Sequence, residues 1–172
     1  AEVVVMSGVG LDFGAHGCKV AIHGAKGAEV VANAMGHRST ANAVAFTEEE
    51  RLVGEAAALK ADRLGANAVT DIKTLLGLGR AELEAEFAAR EAGLVGVAPT
   101  IVDAPKSSAK GAHPRHPRMR VSFKGNDVEY SAQQLAGFVF GALRVTADEG
   151  GGAEAEGAVV AVPATWGMDR CR

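Results

Sequence analysis

The chain has 172 residues, 48% of them hydrophobic and 23% charged, with a formal net charge of −3; that length suits one domain able to bury a sizeable core. No run approaches the roughly 20 apolar residues that span a bilayer, no basic stretch precedes the first apolar residues, and no net positive charge drives binding to nucleic acid, so no membrane association or export is expected. The two cysteines, Cys18 and Cys171, lie at opposite ends without metal-ligand spacing, which points to a soluble, cytoplasmic chain in a reducing compartment.

Apolar stretches at 3–5 and 9–13 predict strand material, and residues 18–23 a second strand. A third, at 29–32, follows the turn Gly24-Ala25-Lys26-Gly27, so three short strands in meander order are expected. Between the first two stands the glycine-flanked turn Gly14-Ala15-His16-Gly17, with Asp12 just before it. Residues 33–47 read as loop and strand, 51–54 as a short apolar link, and 55–63 as an alanine-rich helix. A second helix is predicted over 67–76, capped by Asn67 and stopped by Gly77. A third spans 80–92, a run of strong helix formers with interspersed charge.

Strand texture returns at 100–102, 120–123 and 128–130, the last two joined by the turn Lys124-Gly125-Asn126-Asp127. Between Asp103 and Asp127 there is no acidic residue, while Lys106, Lys110, Arg115, Arg118, Arg120 and Lys124 accumulate. With Pro105, Pro114 and Pro117 and no periodicity, residues 104–120 are expected to form a mobile basic loop. Ser131-Ala132-Gln133-Gln134 is a capping box, followed by an apolar stripe of Leu135, Phe138, Val139, Ala142 and Leu143. An acidic, glycine-rich break at 148–157 then precedes the β-branched run 158–162, read as a fully buried strand ended by Pro163.

Several of these stretches, in this order, resemble motifs of the seventy-kilodalton heat-shock chaperones, members of the actin-like ATPase superfamily. Gly10-Leu11-Asp12-Phe13-Gly14 resembles the family's first phosphate motif, and residues 30–40 its signature of asparagine, glycine, arginine and threonine, here Asn33, Gly36, Arg38 and Thr40. Residues 44–57 continue in the family's order. Residues 67–77 resemble the segment carrying the family's catalytic lysine, here Lys73, and 158–166 the strand ending in valine, proline and alanine.

The resemblance implies an α/β fold: a ribonuclease H-like, actin-like ATPase lobe with a mixed sheet, helices and an inserted α+β subdomain. It implies that 1–33 and 131–172 form one subdomain, incomplete at the C-terminus, and that 34–130 form the smaller inserted one. ATP or ADP and magnesium are the implied cofactors. Asp12 would hold magnesium through water, as suits a hard cation that keeps its hydration shell. Gly14, Ala15, His16 and Gly17 would form the phosphate turn, Lys73 would position attacking water and neutralise charge near the terminal phosphate, and Pro163 would respond to nucleotide state.

Ala15 and His16 stand where the family has two hydroxyl residues, and each hydrogen bond lost to a charged phosphate costs about 1.5–3 kcal/mol. The arginine that works with the family proline falls near Cys171, flanked by Arg170 and Arg172. Ala41-Asn42 replaces a usual proline and serine. These departures resemble the atypical, catalytically weak branch that includes the ribosome-associated complex type. The expected function is a chaperone-family ATP-binding lobe assisting protein folding with weak or no hydrolysis. The alternative is a docking or structural module of a larger assembly that has lost nucleotide binding. Implied partners are a J-domain co-chaperone and unfolded or nascent polypeptide, with ribosome or RNA contact through the basic loop.

Overall fold

Among the described residues three small sheets and one long helix organise the fold, and the sheet with the most strands carries the glycine turn. The computed structural model describes residues 8–24, 26–92, 98–103, 116–151 and 157–167. The expected strand at 3–5, most of the basic loop and Cys171 with its flanking arginines lie outside these residues.

Strands β1 (Gly8–Phe13), β2 (Gly17–Gly24) and β3 (Gly27–Val30) form the expected antiparallel meander. In β1 the alternation buries Val9, Leu11 and Phe13 and leaves Asp12 exposed, the pattern of a strand with one packed face. A two-residue strand, β4 (Thr40–Ala41), pairs with the start of β2. A second sheet is built from β5 (Ala43–Phe46), buried at every position, with β6 (Arg51–Val53) and β7 (Ala68–Thr70) on either side. Residues 51–53, expected as a link, therefore form a strand, turned back on β5 by Thr47, whose hydroxyl accepts the Glu49 and Glu50 amides.

Two helix expectations are corrected. The helix predicted over 55–63 divides into α1 (Glu55–Ala58) and α2 (Ala61–Leu64), because the Lys60 amide bonds back three residues to Ala57 and tightens the chain there. The helix predicted over 67–76 is instead a 3-10 turn (Gly65–Asn67), the strand β7 and a single turn α3 (Ile72–Leu75). Val69 is buried against Val44 in the sheet, and the Asn67 side chain accepts the Ser122 amide at 2.8 Å rather than capping a helix. Tertiary pairing overrides the local helix pattern here.

The helix α4 (Arg80–Ala92) forms as expected and buries Leu83 and Phe87. The third sheet contains β8 (Thr100–Val102), β9 (Arg118–Phe123) and β10 (Asn126–Ser131). Arg118 and Arg120, assigned above to the basic loop, are strand residues, and Arg120 pairs with Glu129 across the ladder at 3.0 Å. Lys124 and Gly125 turn the hairpin, both at positive φ.

The capping box closes in both directions, Gln134 N donating to Ser131 Oγ at 3.3 Å and Ser131 N to Gln134 Oε1 at 2.9 Å. Helix α5 (Ala132–Gly151) then runs further than expected, through the first four residues of the supposed acidic break. A Cβ on Gly150 would lie 2.8 Å from the Val31 side chain, so a residue without one lets the helix end press onto the first sheet. Leu135, Val139 and Leu143 are fully buried, and Phe140 stacks on Phe13 at 4.7 Å.

The last strand, β11 (Ala158–Ala161), pairs in parallel with β1. It is an edge strand rather than the fully buried one expected: all four residues are exposed, Val159 at 78%. Its apolar run matches a buried strand in composition, yet among the described residues neither face is covered. Among the described residues no helix is long and apolar enough to cross a membrane.

Candidate functional site

The turn Gly14-Ala15-His16-Gly17 is held from behind by a buried asparagine. Asn42, 1% exposed, donates its side-chain amide to the Gly14 carbonyl at 2.9 Å, and its backbone amide to the His16 carbonyl at 2.9 Å. Asn42 Oδ1 is buried and has no hydrogen-bond partner among the described residues. A Cβ on Gly14 would run into the Gly17 carbonyl oxygen, and one on Gly17 would lie 2.7 Å from Ser39 Oγ. Close backbone approach thus requires glycine at 14, whereas a side chain at 17 would have to displace the Ser39 hydroxyl.

Around this turn the structure gathers the residues named from sequence. Asp12 is exposed on the outward face of β1, opposite Lys19 on β2 and Ala161 on β11. Lys73, half-buried in α3, has its ammonium 5.7 Å from the ring centre of Trp166, which follows β11 and Pro163. The Trp166 amide bonds to the Pro163 carbonyl at 3.0 Å, a turn that holds the indole beside Lys73. Ala15 is half-buried and carries no polar side chain. His16 has a partner that sequence reasoning missed: its Nδ1 lies 2.7 Å from Asp71 Oδ1, two residues before Lys73. Asp71 is 55 residues away in the chain, and no local pattern marks the pairing.

Asn33 performs a structural task. Its Oδ1 accepts the Met35 and His37 amides, and its Nδ2 donates to Thr40 Oγ1 and Glu55 Oε2, while Glu55 Oε1 accepts the Ala41 amide. The Asn33 and Thr40 of the quoted signature therefore fasten the loop that carries Asn42.

Cys18, fully buried beneath the turn, has its thiol pushed up from 9.0 to about 11. Burial is the main cause; the Gly14 amide opposes it, the negative Asp12 and Glu55 add to it, and the positive Lys73 offsets them. Asp12 and Lys73 are thus both near enough for their charges to act on this one buried thiol. Because the folded thiol titrates above the unfolded one, its stabilising contribution is complete below pH 9 and lost as pH rises to about 11. Wild type is expected to lose about 2–3 kcal/mol more than Cys18→Ala between pH 8.5 and 11, measured by urea midpoints. Equal losses in the two proteins would refute this assignment.

The residues fit a hydrated magnesium ion and a polyphosphate bound by backbone. Asp12 offers one exposed carboxylate near the end of β1, and the turn that follows carries no bulky side chain at 14, 15 or 17 to keep a phosphate from its backbone. They do not supply hydroxyl donors. Beside α4 a cavity of about 60 Å³, lined by Phe87, Arg90 and Pro99, is too small for a nucleotide and includes none of the turn.

Comparison with known proteins gives the family. The family model described as Hsp70 protein matches residues 8–171. The chain belongs to the Hsp70 family. It is 33% identical over 156 residues to a heat shock 70 kDa protein of Ajellomyces capsulatus, covering 91% of this chain and 20% of that protein. It is 31% identical over 164 residues to a ribosome-associated molecular chaperone of Eremothecium gossypii, covering 95% and 24%. Heat shock protein 88 of Dictyostelium discoideum is 28% identical over 167 residues, with 92% and 19% covered. The chain therefore spans about a fifth of the length of these Hsp70 relatives, and its mixed sheet with helices is the family's actin-like α/β fold.

Proposed function

We propose that the chain is the first lobe of a chaperone ATP-binding domain, binding the phosphates of ATP or ADP weakly and hydrolysing slowly or not at all. The observation that carries this reading is the Gly14–Gly17 turn directly after Asp12 on β1, with its His16 against Asp71, two residues before Lys73. In it, Asp12 accepts hydrogen bonds from magnesium-bound water, the turn backbone faces phosphate, and Lys73 offsets negative charge at the terminal phosphate. Magnesium and ATP, when bound, supply charge neutralisation and the phosphoryl group. The side chains at 15 and 16 add no hydroxyl donors, which supports weak rather than tight binding. Segments 1–33 and 131–172 are proposed as the sheet-and-helix half of the lobe, 34–130 as the inserted half, and Pro163 as the position that couples nucleotide state to the rest of the molecule. J-domain and polypeptide partners, a cytoplasmic setting and ribosome or RNA contact through 104–120 belong to the same proposal.

Calorimetric titration of MgATP tests it. The chain is expected to bind with a Kd of about 1 mM, and Asp12→Asn and Lys73→Ala to weaken binding about tenfold each. No heat above buffer at about 10 mM nucleotide would overturn the reading. That result would favour a docking module, which the absent hydroxyls and the engaged His16 support.

A further inference from the structure

The contact between His16 and Asp71 occupies the most exposed point of the turn. His16 is 88% exposed and Asp71 only 21%, so the ring reaches down to a fixed carboxylate rather than the reverse. Asp71 is fixed because its backbone is held in the left-handed region at φ 51. Its carbonyl accepts the Thr74 hydroxyl at 2.9 Å, and Arg90 bonds the Thr70 carbonyl at 2.9 Å and Thr74 Oγ1 at 2.6 Å. Arg90 is itself anchored on Glu86 at 3.0 Å. The turn backbone, for its part, does not depend on the ring, because Asn42 already clamps the Gly14 and His16 carbonyls.

We propose that Asp71 is an internal competitor for the anion: its carboxylate holds the His16 ring in place of a phosphate. The inference rests on the reading of this turn as a phosphate loop and adds a regulator to it. With Nδ1 carrying its proton, the ring is the only polar side chain of the four-residue turn, and in this structure that donor is committed to Asp71. A diphosphate that binds this Nδ1 donor must take it from a carboxylate 2.7 Å away. Charged groups on the adjoining segments are Arg90, whose guanidinium bonds the Thr70 and Asp71 carbonyls, Lys73 on α3, and Asp12 and Lys19, opposite each other on β1 and β2.

The direction of the effect separates competition from damage, since loss of a merely structural contact does not strengthen binding. Magnesium pyrophosphate, and separately MgATP, would be titrated at one pH and low salt into wild type, Asp71→Asn, Asp71→Gly and each combined with His16→Ala. Asn and Gly both tolerate the left-handed backbone, so these variants keep the bend. Trp166, the sole tryptophan and a neighbour of Lys73, supplies the fluorescence signal beside calorimetry. Asp71→Asn and Asp71→Gly are expected to bind pyrophosphate about two- to five-fold tighter than wild type, the range of an exposed ion pair. His16→Ala is expected to abolish the gain.

Equal or weaker pyrophosphate binding by both Asp71 variants would overturn the proposal, as would a gain that survives His16→Ala. A pyrophosphate gain with no MgATP binding by any variant would remove the nucleotide reading and leave the competition standing. MgATP binding by every variant with pyrophosphate indifferent to Asp71 would do the opposite.

Discussion

Replacing Phe46 by alanine is expected to lower stability by about 3–5 kcal/mol, the largest effect of any single truncation in this chain. Phe46 ends β5 and is fully buried, stacked on Tyr130 at 5.0 Å and edge-on to Phe123 at 5.6 Å and Phe138 at 6.5 Å. It therefore joins the second sheet to the third and to α5 through one ring. Deleting it removes buried apolar area and three aromatic contacts and leaves a cavity between elements that cannot close on it independently. Because domains of this size are stable by about 5–15 kcal/mol, the loss is a large share of the total. Thermal unfolding should fall by about 10 °C or more. Leu59→Ala, at a side chain 79% exposed, serves as the control and should change stability by less than about 0.5 kcal/mol. A Phe46→Ala shift below about 1 kcal/mol would mean that the sheets are not held together through this ring.

The second large effect is expected at Asn42. Asn42→Asp removes the donor to the Gly14 carbonyl and places a carboxylate where the present oxygen is already buried without a partner. An uncompensated buried charge costs about 3–5 kcal/mol, and the Glu55 carboxylate, which accepts the neighbouring Ala41 amide, adds like charge close by. The introduced carboxyl escapes by staying protonated, so its folded pKa is raised above the unfolded one. Stability relative to wild type is then best below about pH 4 and worsens as pH rises toward 7. Urea midpoints of the two proteins at pH 4 and pH 7 measure this; a deficit that is the same at both would show that the cost is lost hydrogen bonding rather than buried charge. Asn42→Ala, which adds no charge, should cost less, about 1–2 kcal/mol, and show no such pH trend.

Much of the site was legible before any fold was in view. The glycine-flanked turn between two apolar runs located the hairpin with Asp12 just before it, and the structure added that alternation in β1 leaves Asp12 exposed. Ser131 and Gln134 located the start of α5 because a capping box is a local, reciprocal hydrogen-bond pattern. What failed was sequence stretches whose local preference was outvoted. Residues 68–70 look helical beside Asn67 and Lys73 but are drawn into a ladder with β5, where Val69 gains burial. The apolar run of β11 reads as interior but lies at a sheet edge. His16, marked in the sequence only as a turn residue standing where the family has a hydroxyl, is tied to Asp71 across a separation that no periodicity encodes.

By itself the sequence determined the elements whose causes are local, namely the meander of β1 to β3, the extent of α4, the start of α5 and the order of motifs that marks an Hsp70 lobe. Only the tertiary structure decided which side chains meet. It put Asn42 behind the turn, Asp71 on His16 and Trp166 beside Lys73. The reason is physical: turns, caps and alternation depend on residues within a few positions, whereas a site is made of side chains brought together by burial of apolar surface elsewhere in the chain.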